Sequence, residues 1–128
     1  VRGRPGGAGD LMGERVRKVL AVAHAVAAGM LMSALVLQGP YMPHVAILVV
    51  LHAATCLGLL RPQPWVPWVM GVLSGAGLVF AALSLYTPIQ LLGLAIETYL
   101  LLTGLSAYTG LLIASFSYAI FRRGEFSA

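Results

Sequence analysis

The chain has 128 residues, of which 59% are apolar and only 9% charged, where an average soluble domain carries roughly 25%. Of its formal charges, eight Lys or Arg and four Asp or Glu, only Arg61 and Glu97 fall between Val19 and Phe121. A small globule cannot cover its large surface with so few charges, so a soluble domain, a disordered tail and a disulfide-stapled secreted module are excluded. An integral membrane protein remains.

Residues 1–18 form a basic, Gly-rich tail that also carries Asp10 and Glu14, an imperfect transit peptide at best. The first apolar run, 19–37, is too long for a cleavable signal and is closed by Gln38-Gly39-Pro40. A second run, 45–60, is opened by Pro43 and closed by Arg61-Pro62; a third, 66–86, is entered through Pro64-Trp65-Val66-Pro67. The fourth extends from Ile89 to Phe121 and is stopped by Arg122-Arg123. A helix crossing the ~30 Å hydrocarbon core needs ~20 apolar residues, and only helices and closed barrels satisfy the backbone in lipid. None of the runs alternates with period two, so four helices are expected, joined by an outer loop 38–44 and an inner loop 61–65.

The fourth run is too long for one span. Thr87-Pro88-Ile89-Gln90 reads as a helix start, with Thr87 as N-cap, Pro88 at the first position and Gln90 completing a capping box. Counting ~20 residues back from Arg122 places the outer boundary near Leu102. Residues 88–101 are therefore expected as an interfacial or tilted start to the helix, 102–121 as its span, with a bend at Thr103-Gly104 or Gly110, and 122–128 as a basic tail.

Orientation follows from the cations. Arg2, Arg4, Arg15, Arg17 and Lys18 precede the first run, Arg61 lies between the second and third, and Arg122 and Arg123 follow the fourth. Four spans with both termini on the cytoplasmic or matrix side put all eight on one face, the positive-inside pattern. Trp65 and Trp68 then sit at the inner interface, Tyr41 and Tyr86 at the outer one. The fold class expected is an all-α membrane protein, a four-helix bundle with a long, bent fourth helix. The charge bias suits a bacterial plasma membrane or an organellar inner membrane equally.

Small residues recur every four positions: Ala21, Ala25, Gly29 and Ser33 in the first helix, Gly71 and Gly75 in the third, Ser106, Gly110 and Ala114 in the fourth. Such seams let backbones approach closely. They are expected to pack the four helices on one another, with a partner chain or a second copy as the rival use.

Intramembrane ionisable groups are the default functional candidates. His24 lies about 9 Å and His52 about 13 Å above the inner boundary at 1.5 Å per residue, on consecutive antiparallel helices. Facing histidines can ligate a b-type haem or hydrogen-bond a quinone or a proton relay. The plainer expectation is that each bonds a neighbouring carbonyl or hydroxyl, with Thr55 and Ser33 at hand. Glu97 and His44 both count to the outer rim, where Glu97 is expected as an interfacial carboxylate paired with His44 or with a partner protein; a carrier using Glu97 requires the fourth helix to enter the membrane near Ile89.

No phosphate loop, nucleophile elbow, zinc-protease motif or dinucleotide fingerprint is present. Two histidines are too few for a metal site, and the lone Cys56 forms no intrachain disulfide. The cations form no aromatic-interleaved patch, so nucleic acid is not an expected partner. No residues are assigned to catalysis and no specific family resemblance is carried by these motifs. The leading expectation is a non-catalytic, membrane-embedded accessory subunit of a larger complex of the respiratory or photosynthetic kind, its partners lipid and other membrane subunits or further copies of itself. The alternatives are a small oligomeric transporter or channel using Glu97, and a haem- or quinone-contacting redox anchor using His24 and His52.

Overall fold

The computed structural model describes residues 7–39, 42–92 and 95–127. Among them there is no strand: α1 runs Ala8–Gln38, α2 Pro43–Leu60, α3 Val66–Leu92 and α4 Ile96–Phe121, followed by a single 3-10 turn, Arg123–Phe126. All four α-helices are long and apolar enough to cross a membrane. Arg2, Arg4 and Tyr41, to which the sequence assigns roles, lie outside the described residues.

Two boundaries differ from the sequence expectation. Helix α1 begins at Ala8 and not at Val19; its polar first turns are supported by an i,i+4 ion pair, Glu14 to Lys18 at 2.6 Å, of a kind that stabilises solvated helix. The Thr87-Pro88 signal does not start a helix, because α3 continues through it to Leu92 with Pro88 inside. A proline removes one backbone donor, a loss that membrane helices tolerate where local adjustments satisfy the freed carbonyl. The long fourth run is thus divided between α3 and α4. Its break precedes Ile96, while Thr103-Gly104 and Gly110 lie within one continuous helix of 26 residues, about 39 Å long.

Packing follows a seven-residue repeat. Helix α4 buries Thr98, Leu105, Leu112 and Ala119 at intervals of seven, with Ser115 buried and Tyr108 half-buried three residues after Leu112 and Leu105. Helix α2 does the same with Val45, His52 and Leu59, flanked by Leu48 and Thr55. Helix α3 buries Val66 and Leu73 alongside Met70 and Gly77, and α1 Gly13 and Leu20 alongside His24. A repeat of 3.5 residues keeps one stripe facing its neighbours in a left-handed supercoil.

The small-residue seams do not follow that repeat, and the structure corrects their expected role. Only Ala21 is buried and Gly71 half-buried; Ala25, Gly29, Ser33, Gly75, Ser106, Gly110 and Ala114 are exposed. Steps of four advance about 40° around a helix of 3.6 residues per turn, so a period-four seam drifts off the packed stripe.

Two clusters form the core. One gathers Leu20, Ala21, Leu59, Val66, Met70, Ala119 and Phe126, drawing on every helix and the 3-10 turn. The other centres on Leu48, Leu73 and Leu112. Beyond the first lies the basic end, where the chain after α4 folds back onto α1. Glu125 bridges Arg17 at 3.3 Å and Arg122 at 3.4 Å and accepts a 2.6 Å hydrogen bond from the Tyr118 hydroxyl, which also lies 3.1 Å from the Gly13 carbonyl. Gly13 leaves room for this contact: a Cβ there would stand 2.8 Å from a Glu125 carboxylate oxygen.

Candidate functional site

Between the two clusters four polar side chains meet. His24 of α1 and His52 of α2 are both fully buried, at 0% exposure, because each occupies a stripe position of its helix. Their Nδ1 atoms are 2.8 Å apart and their ring centroids 5.0 Å apart. The outer nitrogens are taken by hydroxyls of α4: His24 Nε2 lies 2.8 Å from Ser115 Oγ and His52 Nε2 lies 3.0 Å from Tyr108 Oη. The result is one unbranched chain, Ser115–His24–His52–Tyr108, tying three helices together.

The sequence places both histidines at similar depth, and the structure brings them into contact. The hydroxyl partners differ from those expected. Ser33 is exposed and donates to the Gly29 carbonyl of its own helix at 2.9 Å, while Thr55 Oγ1 is buried without a hydrogen-bond partner among the described residues. Tyr108 and Ser115 are partners the sequence reading missed; the seven-residue repeat of buried positions sets them on the packed face of α4. Tyr108 also depends on Gly77 of α3: a Cβ there would stand 2.9 Å from its hydroxyl and 2.5 Å from Leu112 Cδ1. Its ring packs edge-on against Phe80 at 6.3 Å.

The hydrogen-bond inventory allows two arrangements of the neutral chain. If His24 Nδ1 carries the shared hydrogen, His24 Nε2 is bare and accepts from Ser115, while His52 Nε2–H donates to the Tyr108 oxygen and leaves the Tyr108 hydrogen unspent. If His52 Nδ1 carries it, His52 Nε2 accepts from Tyr108, His24 Nε2–H donates to Ser115, and the Ser115 hydrogen is unspent. Every ring nitrogen is satisfied in both. A haem or metal ligated by this pair would take the place of these bonds, since neither ring presents a free nitrogen and 2.8 Å is a hydrogen-bond separation.

The other candidates stand apart. His44 is exposed in the first turn of α2, its ring 6.2 Å from that of Phe80. Glu97 is exposed in the first turn of α4, which places it at a helix end and not midway along one. Among the described residues no ion pair joins the two, and no group of three His, Cys, Asp or Glu is arranged to hold a metal. Comparisons with protein-family models, with characterised proteins and with solved structures find no match to this chain.

Proposed function

We propose that this chain is a small membrane-embedded component of a larger assembly, a four-helix bundle with both termini on the positive side, and that Ser115–His24–His52–Tyr108 is its working part, a proton relay. The observation that carries this reading is the 2.8 Å Nδ1–Nδ1 contact between two buried imidazoles whose remaining nitrogens each meet a hydroxyl. Passage of one proton converts one arrangement into the other with every bond broken matched by one formed. A proton enters at Ser115 Oγ as the Ser115 hydrogen moves to His24 Nε2. The hydrogen on His24 Nδ1 passes to His52 Nδ1, and that on His52 Nε2 passes to Tyr108, whose own hydrogen leaves. Reversal follows the same path.

Tyr108 and Ser115 are seven residues apart on α4, about 10 Å along its axis, against a ~30 Å hydrocarbon core. So short a relay does not cross the bilayer unaided. A donor and an acceptor must be brought to its ends by other subunits or by a ligand, which is why the reading includes an assembly. The outward-facing Ala25, Gly29 and Ser33 of α1 suit close approach of another helix.

Nitrogen-15 NMR of histidine-labelled protein in bilayers tests the relay. Both rings are expected to sample both tautomers, with averaged Nδ1 and Nε2 shifts and ring hydrogens that exchange with deuterated solvent faster than the α2 amides around them. Two rings each locked in one tautomer, with hydrogens as protected as those amides, make the network a structural staple and overturn the reading.

A second reading, the quinone-contacting anchor, is favoured by one observation. Tyr108, the end of the relay, also lines an apolar groove of about 470 Å³ between α1 and α4, bordered by Met30, Leu101 and Gly104. Saturable binding of decylubiquinone that is lost in Gly104→Leu, where a side chain meets open space in the free protein, supports this reading; unsaturable partitioning defeats it.

A further inference from the structure

A larger groove, about 700 Å³, lies at the basic end between the start of α3 and the end of α4. Trp68, Val72, Phe116 and Ile120 wall it, and Arg123 and Ser127 stand at its polar mouth. The tryptophan is 74% exposed, so the groove is an outer surface of the protein, on helices apolar enough to cross a membrane.

The cations around it are not equivalent. The Glu125 carboxylate is taken up by Arg17 and Arg122, and Glu14 by Lys18. Arg123 has no acidic partner among the described residues. Its backbone is anchored, because it opens the 3-10 turn whose Phe126 is docked in the core at 1% exposure. A guanidinium without an acidic partner among the described residues thus borders an apolar slot at the end of the bundle where the cations gather.

From this juxtaposition we infer that the α3–α4 groove is a binding site for one anionic phospholipid, its phosphate held by Arg123 and an acyl chain lying along Trp68 and Phe116. Guanidinium matches phosphate oxygens with paired hydrogen bonds, and basic pockets between membrane helices on the cytoplasmic or matrix side suit anionic headgroups. The Ser127 hydroxyl, 3.1 Å from the Gly124 carbonyl, adds a second polar group at the same mouth. Zwitterionic lipids fill the slot with the same chains but carry a choline that meets Arg123 with like charge.

The test uses the full chain with Trp65→Phe, which leaves Trp68 as the sole tryptophan. It is reconstituted in phosphatidylcholine vesicles containing a fixed fraction of either brominated phosphatidylglycerol or brominated phosphatidylcholine. Bromine quenches only tryptophans it touches, so the ratio of the two quenching curves measures selective occupancy. The expected preference for phosphatidylglycerol is roughly fivefold, the worth of one cation near an anionic surface. Arg123→Gln should abolish it, and Arg61→Gln, which removes the same charge elsewhere at the basic end, should leave it. Equal quenching by both lipids, or a preference that survives Arg123→Gln, overturns the assignment and leaves the slot to a partner helix. Native mass spectrometry of the unmodified chain gives an independent reading. One retained phosphatidylglycerol, lost in Arg123→Gln, supports the site; retention unchanged in that variant rejects it.

Discussion

Tyr108 and Ser115 stand seven residues apart on one face of α4 and close opposite ends of the same hydrogen-bonded chain. Because the two imidazoles share one hydrogen, the two hydroxyls are complementary: when one donates into the chain, the other accepts from it.

Removing either hydroxyl therefore biases the pair in opposite directions. In Tyr108→Phe the unpaired His52 Nε2 is better left bare than protonated, since buried orphan donors are rarer than orphan acceptors, and the shared hydrogen shifts to His52 Nδ1. In Ser115→Ala the same argument moves it to His24 Nδ1. Nitrogen-15 shifts of the two rings read both displacements, and displacements of the same sign refute the complementarity.

The histidines should couple energetically. His24→Phe or His52→Phe alone strands a buried nitrogen and costs about 1–3 kcal/mol. The double variant should cost less than the sum by about 0.5–3 kcal/mol, because it removes both partners of the central bond. Unfolding in mixed detergent micelles measures the cycle; strict additivity contradicts a direct contact.

Gly77 and Gly75 make a contrasting pair on α3. Gly77→Ala drives a methyl against Leu112 and the Tyr108 hydroxyl and is expected to destabilise by about 1–3 kcal/mol while perturbing the His52 resonances. Gly75→Ala meets open space and should be neutral or stabilising, since alanine is the better helix former by about 1 kcal/mol.

At the basic end, Phe126→Ala empties a position that is 1% exposed and should cost about 3 kcal/mol. Hydrogen exchange would then accelerate in the first turns of α1, where Tyr118 and Glu125 hold Gly13 and Arg17. Exchange confined to the residues after Phe121 would show that the turn does not brace α1.

The Glu14 carboxyl is held below the usual range by its hydrogen bond to, and the charge of, the Lys18 ammonium. The folded pKa is the lower one, so the pair's support is present above the ordinary glutamate range and is lost as pH falls through the depressed value. Carbon-13 titration should show the low midpoint, and Lys18→Gln should raise it toward the ordinary value.

The sequence exposed the architecture because lipid leaves the chain so few choices: apolar runs of sufficient length become helices, and their number can be counted. It also placed His24 and His52 at matching depth, since consecutive helices run antiparallel and each residue advances a fixed rise. Three things were hidden. Pro88 looks like a helix start by local chemistry, and only the surrounding structure decides that α3 passes through it. The small-residue stripes caught attention at period four, whereas the packed faces run at 3.5, so Ala25, Gly29 and Ser33 turned outward. Ser115 and Tyr108 are ordinary residues of an apolar helix until α4 is set beside α1 and α2.

The spacing of partners along the chain bears on how the protein is made. His24 and His52 are 28 positions apart, whereas His24 and Ser115 are separated by 91, and Arg17 and Glu125 by 108. The leading hairpin of α1 and α2 can therefore form with its two rings already paired before α4 is added. Neither of the first two helices is then left with a lone buried imidazole, and the Arg17–Glu125 clasp, which needs the turn after α4, closes last.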